Sequence, residues 1–220
     1  MVAGMEHDLT KLKQGVQALN IDITDEQLEK FDKYISLLIH WNKKMNLTAI
    51  TEPEEIIVDH FLDSISILGE INMGEYDSII DVGTGAGFPG LPIKIMEPHL
   101  NLVLLDSLKK RTEFLKVVTE ELKLSNVEII HSRAEDLARQ ENYRENFDLV
   151  VSRAVASLNI LAEYCVPFAK VGGYFVSYKG PAADEELQES SKAIEVLSGQ
   201  REPEIKKVSV PFSQKTHKLV

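Results

Sequence analysis

The chain has 220 residues, with 44% hydrophobic and 27% charged content, enough to bury a core of ordinary size. Its apolar runs are far shorter than the roughly 20 residues a membrane span needs, and the polar start, Met1 to Lys13, lacks the apolar stretch of a secretion signal. With 24 basic against 35 acidic residues the net charge is −11, which argues against a general nucleic-acid binder but leaves room for a local basic patch.

Residues 1–75 are predicted to form a helical extension. Thr24-Asp25-Glu26-Gln27 is a capping-box signature. Behind it Leu28, Phe31, Ile35 and Leu38 recur at helical spacing and define one apolar face. Thr51-Glu52-Pro53-Glu54 predicts a second helix start, continued by Ile57, Phe61, Ile65 and Leu68, and Asn72-Met73-Gly74 closes the region.

From residue 76 to 220 strands and helices alternate. Strands are predicted at 78–82, 101–105, 127–130, 147–151, 173–178 and 205–210, with helices near 90–96, 108–122, 156–169 and 183–198. Gly172-Gly173 reads as a turn before the fifth strand. This rhythm predicts an α/β fold: a doubly wound, Rossmann-like parallel sheet with helices on both faces. Leu219-Val220 falls in what reads as the return strand of a hairpin, so a further tail is expected after it. The single cysteine, Cys165, excludes an internal disulfide and fits a reducing cytoplasm.

The most informative segment is Asp81-Val82-Gly83-Thr84-Gly85-Ala86-Gly87-Phe88-Pro89-Gly90. A buried strand runs into a glycine loop that opens a helix, an arrangement that holds a small ligand at a strand end. Two frames compete. Gly85 to Gly90 formally matches G-x-G-x-x-G, the dinucleotide fingerprint of an NAD-type oxidoreductase. Asp81-x-Gly83-x-Gly85-x-Gly87 resembles the S-adenosylmethionine loop of class I methyltransferases, whose ligand carries an ammonium group and no phosphate. Position favours the second frame. Gly83, not Gly85, follows the strand, and Pro89 has no N–H to offer a phosphate. Asp106 ends the next strand, where an acid takes ribose hydroxyls in either cofactor class; a helix N-cap is the alternative, and the glycine loop upstream favours the ligand.

Five motifs in chain order carry a resemblance. They are Trp41-Asn42-x-x-x-Asn46-Leu47-Thr48, His60-x-x-Asp63-Ser64, the glycine loop, Leu105-Asp106-Ser107-x-x-Lys110-Arg111-x-x-Phe114-Leu115, and Ser152-Arg153-Ala154. Over nearly the whole chain they resemble the RsmG (GidB) family, bacterial enzymes that methylate N7 of one guanine in 16S ribosomal RNA. The resemblance implies a class I methyltransferase domain behind the helical extension, in a cytoplasmic monomer acting on 16S rRNA or the small ribosomal subunit. It implies cofactor contacts at Gly83, Phe88, Ala134, Glu135 and Arg153, completed by Gly85, Gly87 and Asp106, and no metal. Asp59 stands where the family usually carries a basic residue, and the family's basic C-terminal tail is absent.

Guanine N7 offers an in-plane lone pair and no proton, so no general base is expected. The fourth strand fits this, ending in Val151-Ser152-Arg153-Ala154 rather than an amine-methylating Asn/Asp-Pro-Pro-aromatic motif. Arg153 is expected to meet the cofactor carboxylate, Glu135 or an RNA phosphate. Lys179, at the end of the fifth strand, is the leading residue to touch RNA. Cys165 reads as a buried inert thiol, and Trp41 and His60 as residues of the extension interface. A third reading keeps the fold as a non-catalytic ribosome-binding factor.

Overall fold

The computed structural model describes residues 6–198 and 203–220. Met1–Met5, part of the polar start, lie outside the described residues. Two helices lead the chain, α1 (Thr10–Ala18) and α2 (Asp25–Met45). The expected capping box starts α2: Gln27 N donates to Thr24 Oγ1 at 3.2 Å, and Thr24 N donates to Gln27 Oε1 at 2.8 Å. Leu28, Phe31, Ile35 and Leu38 are all buried. Asn46 ends the helix in the left-handed conformation, φ 48°.

The second helical segment runs continuously over 53–69 but changes pitch. It comprises α3 (Pro53–Glu55), a π-helical stretch (Ile56–Leu62), α4 (Asp63–Ile65) and a 3₁₀ turn (Ser66–Gly69). The π turn shifts the phase of the apolar face, so Ile56, Leu62 and Ile67 are buried beside the expected Ile57, Phe61 and Ile65.

Seven strands form one sheet: β1 (Ser78–Val82), β2 (Asn101–Asp106), β3 (Val127–His131), β4 (Phe147–Arg153), β5 (Ala169–Lys179), β6 (Lys206–Val208) and β7 (His217–Leu219), in the order β3-β2-β1-β4-β5-β7-β6. The first five strands are parallel, and β7 runs antiparallel to both β5 and β6. The expected hairpin at the end of the chain is therefore present. An antiparallel β7 between β5 and β6 departs from the dinucleotide order 3-2-1-4-5-6.

The period-2 alternation divides the core. Ile79, Leu102, Leu104, Leu149 and Val151 face the extension, α5 (Gly90–Met96) and α6 (Lys109–Glu121). Ile80, Val82, Val103, Leu105 and Val150 face α7 (Ala134–Leu137) and α8 (Leu158–Cys165), on which α9 (Ala183–Ser198) packs. One hydrophobic cluster thus runs from Leu12 and Phe31 of the extension into the sheet.

Two boundaries differ from expectation. The helix expected over 156–169 gives way at Val166–Phe168 to a 3₁₀ turn, because Pro167 cannot continue an α-helix. Gly172-Gly173 is no turn but part of β5. The β4–β5 register shifts there, and a Cβ on Gly173 would lie 2.8 Å from the Phe147 carbonyl oxygen.

Candidate active site

The strand order reverses between β1 and β4, and the crevice outside their carboxyl ends is where such sheets bind ligands. On one side lies the glycine loop. Gly83 N and Thr84 N both donate to Leu105 O, at 2.8 and 3.1 Å, which pins the loop to the end of β2. Gly83, Gly85 and Gly87 all have positive φ, at 74°, 63° and 99°.

These glycines serve different ends. A Cβ on Gly83 would lie 2.5 Å from Val155 Cγ2, and one on Gly87 would lie 2.4 Å from the Tyr34 hydroxyl. Both are demanded by the protein's own packing. A Cβ on Gly85 would approach nothing closer than the Gly83 carbonyl at 4.0 Å, so of these three glycines it is the one that borders open space.

Two acids stand at adjacent strand ends. Asp81 is fully buried, and its Oδ2 accepts from Thr84 Oγ1 at 2.7 Å and Gly90 N at 2.8 Å. Its Oδ1 is buried with no hydrogen-bond partner. Burial raises the carboxyl to about 7, against the lowering effect of the Thr84 and Gly90 bonds. Asp106 Oδ2 accepts from Gly85 N at 2.9 Å and Arg111 Nη1 at 3.2 Å, while Oδ1 accepts from Leu108 N at 2.8 Å. Asp106 thus joins the loop to the entry of α6. An orphaned acceptor beside the loop, a loop glycine facing open space and an acid on the next strand fit S-adenosylmethionine, with its ammonium and ribose groups.

Phe88 lies at the far end of the loop and is 6% exposed. The His60 ring stacks on it at 4.3 Å between centroids, the Tyr34 ring lies at 5.5 Å, and the Arg153 guanidinium sits 5.2 Å from its centre. Its ring is committed to the extension.

Arg153 is the hub of a buried polar network. Its Nη1 donates to Asp63 Oδ2 at 2.5 Å and Asp59 O at 3.0 Å, and its Nη2 lies 3.0 Å from His60 Nδ1. Arginine only donates, so His60 Nδ1 accepts and the imidazole proton is on Nε2, directed at Thr48 Oγ1 at 2.9 Å. Burial and the Arg153 charge push the His60 pKa down to about 3, so the ring is neutral. The other Asp63 oxygen meets His217 Nδ1 of β7 at 2.8 Å. Burial alone would raise Asp63, but the bonds from His217 and Arg153 hold it below the usual carboxylate range. The π turn supplies the Asp59 carbonyl and His60 to this hub.

Arg153 therefore pairs with Asp63 of the extension and, of the expected partners within the protein, not with Glu135. Ala134 and Glu135 open α7 after β3, with Glu135 exposed. Lys179 Nζ donates to Glu186 Oε2 at 2.7 Å and Ala156 O at 2.8 Å, so in this structure the ammonium is directed inward. Asp59 pairs with Lys215 at 2.5 Å. Cys165 is buried, and burial pushes its thiol pKa up, so it is inert. Trp41 packs on Phe114 at 6.0 Å, at the extension interface. Among the described residues no group of three or more His, Cys, Asp or Glu side chains could hold a metal, and no helix is long and apolar enough to cross a membrane.

A family model described as rRNA small subunit methyltransferase G (GidB) matches residues 27–217. The chain belongs to this family. The methyltransferase G protein of Alkaliphilus metalliredigens (strain QYMF) is 53% identical over 209 residues, covering 95% of this chain and 87% of that protein. The one from Desulforamulus reducens is 49% identical over 215 residues, covering 97% and 89%. Among solved structures, an S-adenosylmethionine-dependent methyltransferase from Aquifex aeolicus superposes with a TM-score of 0.52 at 20% identity, covering 76% of this chain and 92% of that one. M. jannaschii TYW2 in complex with AdoMet gives 0.50 at 14% identity, covering 66% and 67%. These structures share the class I methyltransferase fold, and methyltransferase G membership sets the dinucleotide reading aside.

Tyr34 escaped notice in the sequence. It sits three residues after Phe31 on the apolar face of α2, and its hydroxyl donates to Ala86 O at 2.5 Å. A buried tyrosine hydroxyl needs a partner, but the sequence does not say which. His217 gave no signal either, since β7 lies far from Asp63 in the chain.

Proposed function

We propose that this protein transfers a methyl group from S-adenosylmethionine to N7 of a guanine in 16S rRNA. The observation that carries the choice of acceptor atom is the absence, among the described residues, of a free base at the end of β4. Ser152 Oγ is buried and donates to Val82 O at 2.8 Å. Arg153 is held by Asp63, and both nitrogens of the neutral His60 are engaged. An exocyclic amine would need help in losing its proton; N7 has none to lose.

When bound, S-adenosylmethionine supplies a methyl group activated by the adjacent sulfonium. The chain's own contribution is alignment. Gly83, Gly85 and Gly87 shape the loop, Asp81 faces the ammonium, Asp106 faces the ribose, and Ala134 and Glu135 border the adenine. Arg153 and Phe88 act by fixing the loop against the extension. Holding nucleophile and methyl in line accounts for roughly 7–11 kcal/mol of barrier lowering in favourable cases. Residues 1–75 act as a brace for the loop, and residues 76–220 as the methyl-transfer domain.

The test uses small ribosomal subunits from a strain that lacks this enzyme. Incubation with purified protein and methyl-labelled cofactor, followed by N7-methylguanine-selective strand cleavage, should mark one guanine of 16S rRNA. Label at another atom would overturn the N7 assignment. No transfer at all would favour the non-catalytic ribosome-binding factor.

A further inference from the structure

Four lysines stand at two adjoining helix ends beside the loop, none of them paired with a carboxylate among the described residues. Lys43 and Lys44 lie in the last turn of α2, and Lys109 and Lys110 open α6. The two helix ends meet, since Lys110 Nζ donates to Met45 O at 3.2 Å and Trp41 packs on Phe114. This junction is one bonded step from the loop, because Asp106 takes both Gly85 N and Leu108 N.

All four side chains are exposed. Among the described residues none of them forms an ion pair, whereas Lys33, Arg111, Arg153, Lys170, Lys179 and Lys218 each reach a carboxylate. The helix dipole accounts for Lys43 and Lys44, which sit at a helix C-terminus. It does the opposite for Lys109 and Lys110. They occupy the first turn of α6, where cations are repelled and where no acidic residue relieves them. The Met45 carbonyl gives Lys110 a neutral acceptor and leaves its charge uncompensated.

We propose that Lys43, Lys44, Lys109 and Lys110 form a flank that grips the phosphate backbone of the RNA substrate beside the cofactor loop. On a chain of net charge −11 a polyanion needs such a local positive surface to dock. The lysines bind phosphates as point charges and read no bases, so they hold the strand while the pocket selects the guanine. The proposal rests on RNA being the substrate.

The test compares the full chain carrying K43Q/K44Q/K109Q/K110Q with one carrying K13Q/K116Q/K192Q/K207Q, an equal loss of charge at exposed lysines elsewhere. Equilibrium binding to unmethylated small subunits is measured over a salt series, alongside Tm and calorimetric cofactor affinity. The flank variant should keep Tm and cofactor affinity, bind the particles at least about tenfold more weakly, and show a log–log salt slope shallower by about three, at about 0.7 per lost single-strand phosphate contact. Equal particle binding by the two variants overturns the flank even if methyl transfer is intact. Wild-type protein that transfers no methyl, but loses particle binding only in the flank variant, overturns the enzymatic reading and leaves the flank standing.

Discussion

The Tyr34 hydroxyl donates a 2.5 Å hydrogen bond to the Ala86 carbonyl, so a side chain of the N-terminal extension holds the middle of the cofactor loop. The extension braces the site at further points. Gln27 Nε2 donates to the carbonyls of Ile95 and Met96 at the end of α5, and His60 stacks on Phe88. The extension thereby holds both the loop that precedes α5 and the C-terminal end of α5.

Tyr34→Phe keeps the ring but leaves the buried Ala86 carbonyl without its donor. The expected cost is about 1–3 kcal/mol of stability, with weaker cofactor binding because the loop is freed. Chemical denaturation and calorimetry check both. Unchanged cofactor affinity would remove Tyr34 from the site.

Gly83→Ala and Gly85→Ala should separate. Both carry the left-handed strain, roughly 1–2 kcal/mol. Gly83→Ala also meets Val155 at 2.5 Å, so it should destabilise the fold more, and Val155→Ala should partly rescue it. Gly85→Ala meets no atom closer than 4.0 Å and should lose cofactor affinity with little further loss of Tm.

Asp63→Ala leaves the Arg153 charge buried without its ion-pair partner; their side chains are 11% and 13% exposed. A loss of about 3–5 kcal/mol is expected. Asp106→Asn keeps one acceptor oxygen, so only one of Gly85 N and Leu108 N stays bonded while the amide nitrogen opposes the other, and it should lose some stability as well as cofactor affinity. Asp106→Ala should fail in both respects, since those buried donors then lose their partner.

The pH dependence of Asp81 has a definite sign. Its folded pKa, about 7, lies above the ordinary value of 3.8. Between those values the folded state binds the extra proton, so its contribution is full below about 4 and is lost as pH rises through 7. Asp81→Asn removes that titration. The Tm of the variant relative to wild type, both without cofactor, should climb from pH 4 to 7 and level off above about 8. His60 acts oppositely, staying neutral in the fold down to about 3, so acidification below about 6.5 costs stability through it in both proteins.

Lys179→Met removes the amine that bonds Glu186 and Ala156. Its Tm should fall, while KM for small subunits stays within about twofold; a large rise in KM would restore Lys179 to the RNA surface.

Local signals were strong where one short stretch contained the whole cause. The capping box needed only Thr24 and Gln27, the strands needed only runs of β-branched residues, and the loop frame from Asp81 to Gly87 needed only its spacing. The π turn over Ile56–Leu62 was hidden because pitch there is set by what packs around it. Arg153 looked like a pocket residue in the sequence, and its partner could not be read, because Asp63 comes to it from 90 residues upstream, held in turn by His217 of β7. The sequence by itself determined the α/β rhythm, the glycine loop and the family. The tertiary structure alone decided which glycines face protein and which faces open space, that Lys179 turns inward, and that the lysines ending α2 join those opening α6. Those outcomes depend on distances between residues remote in the chain, and only the packed core fixes such distances.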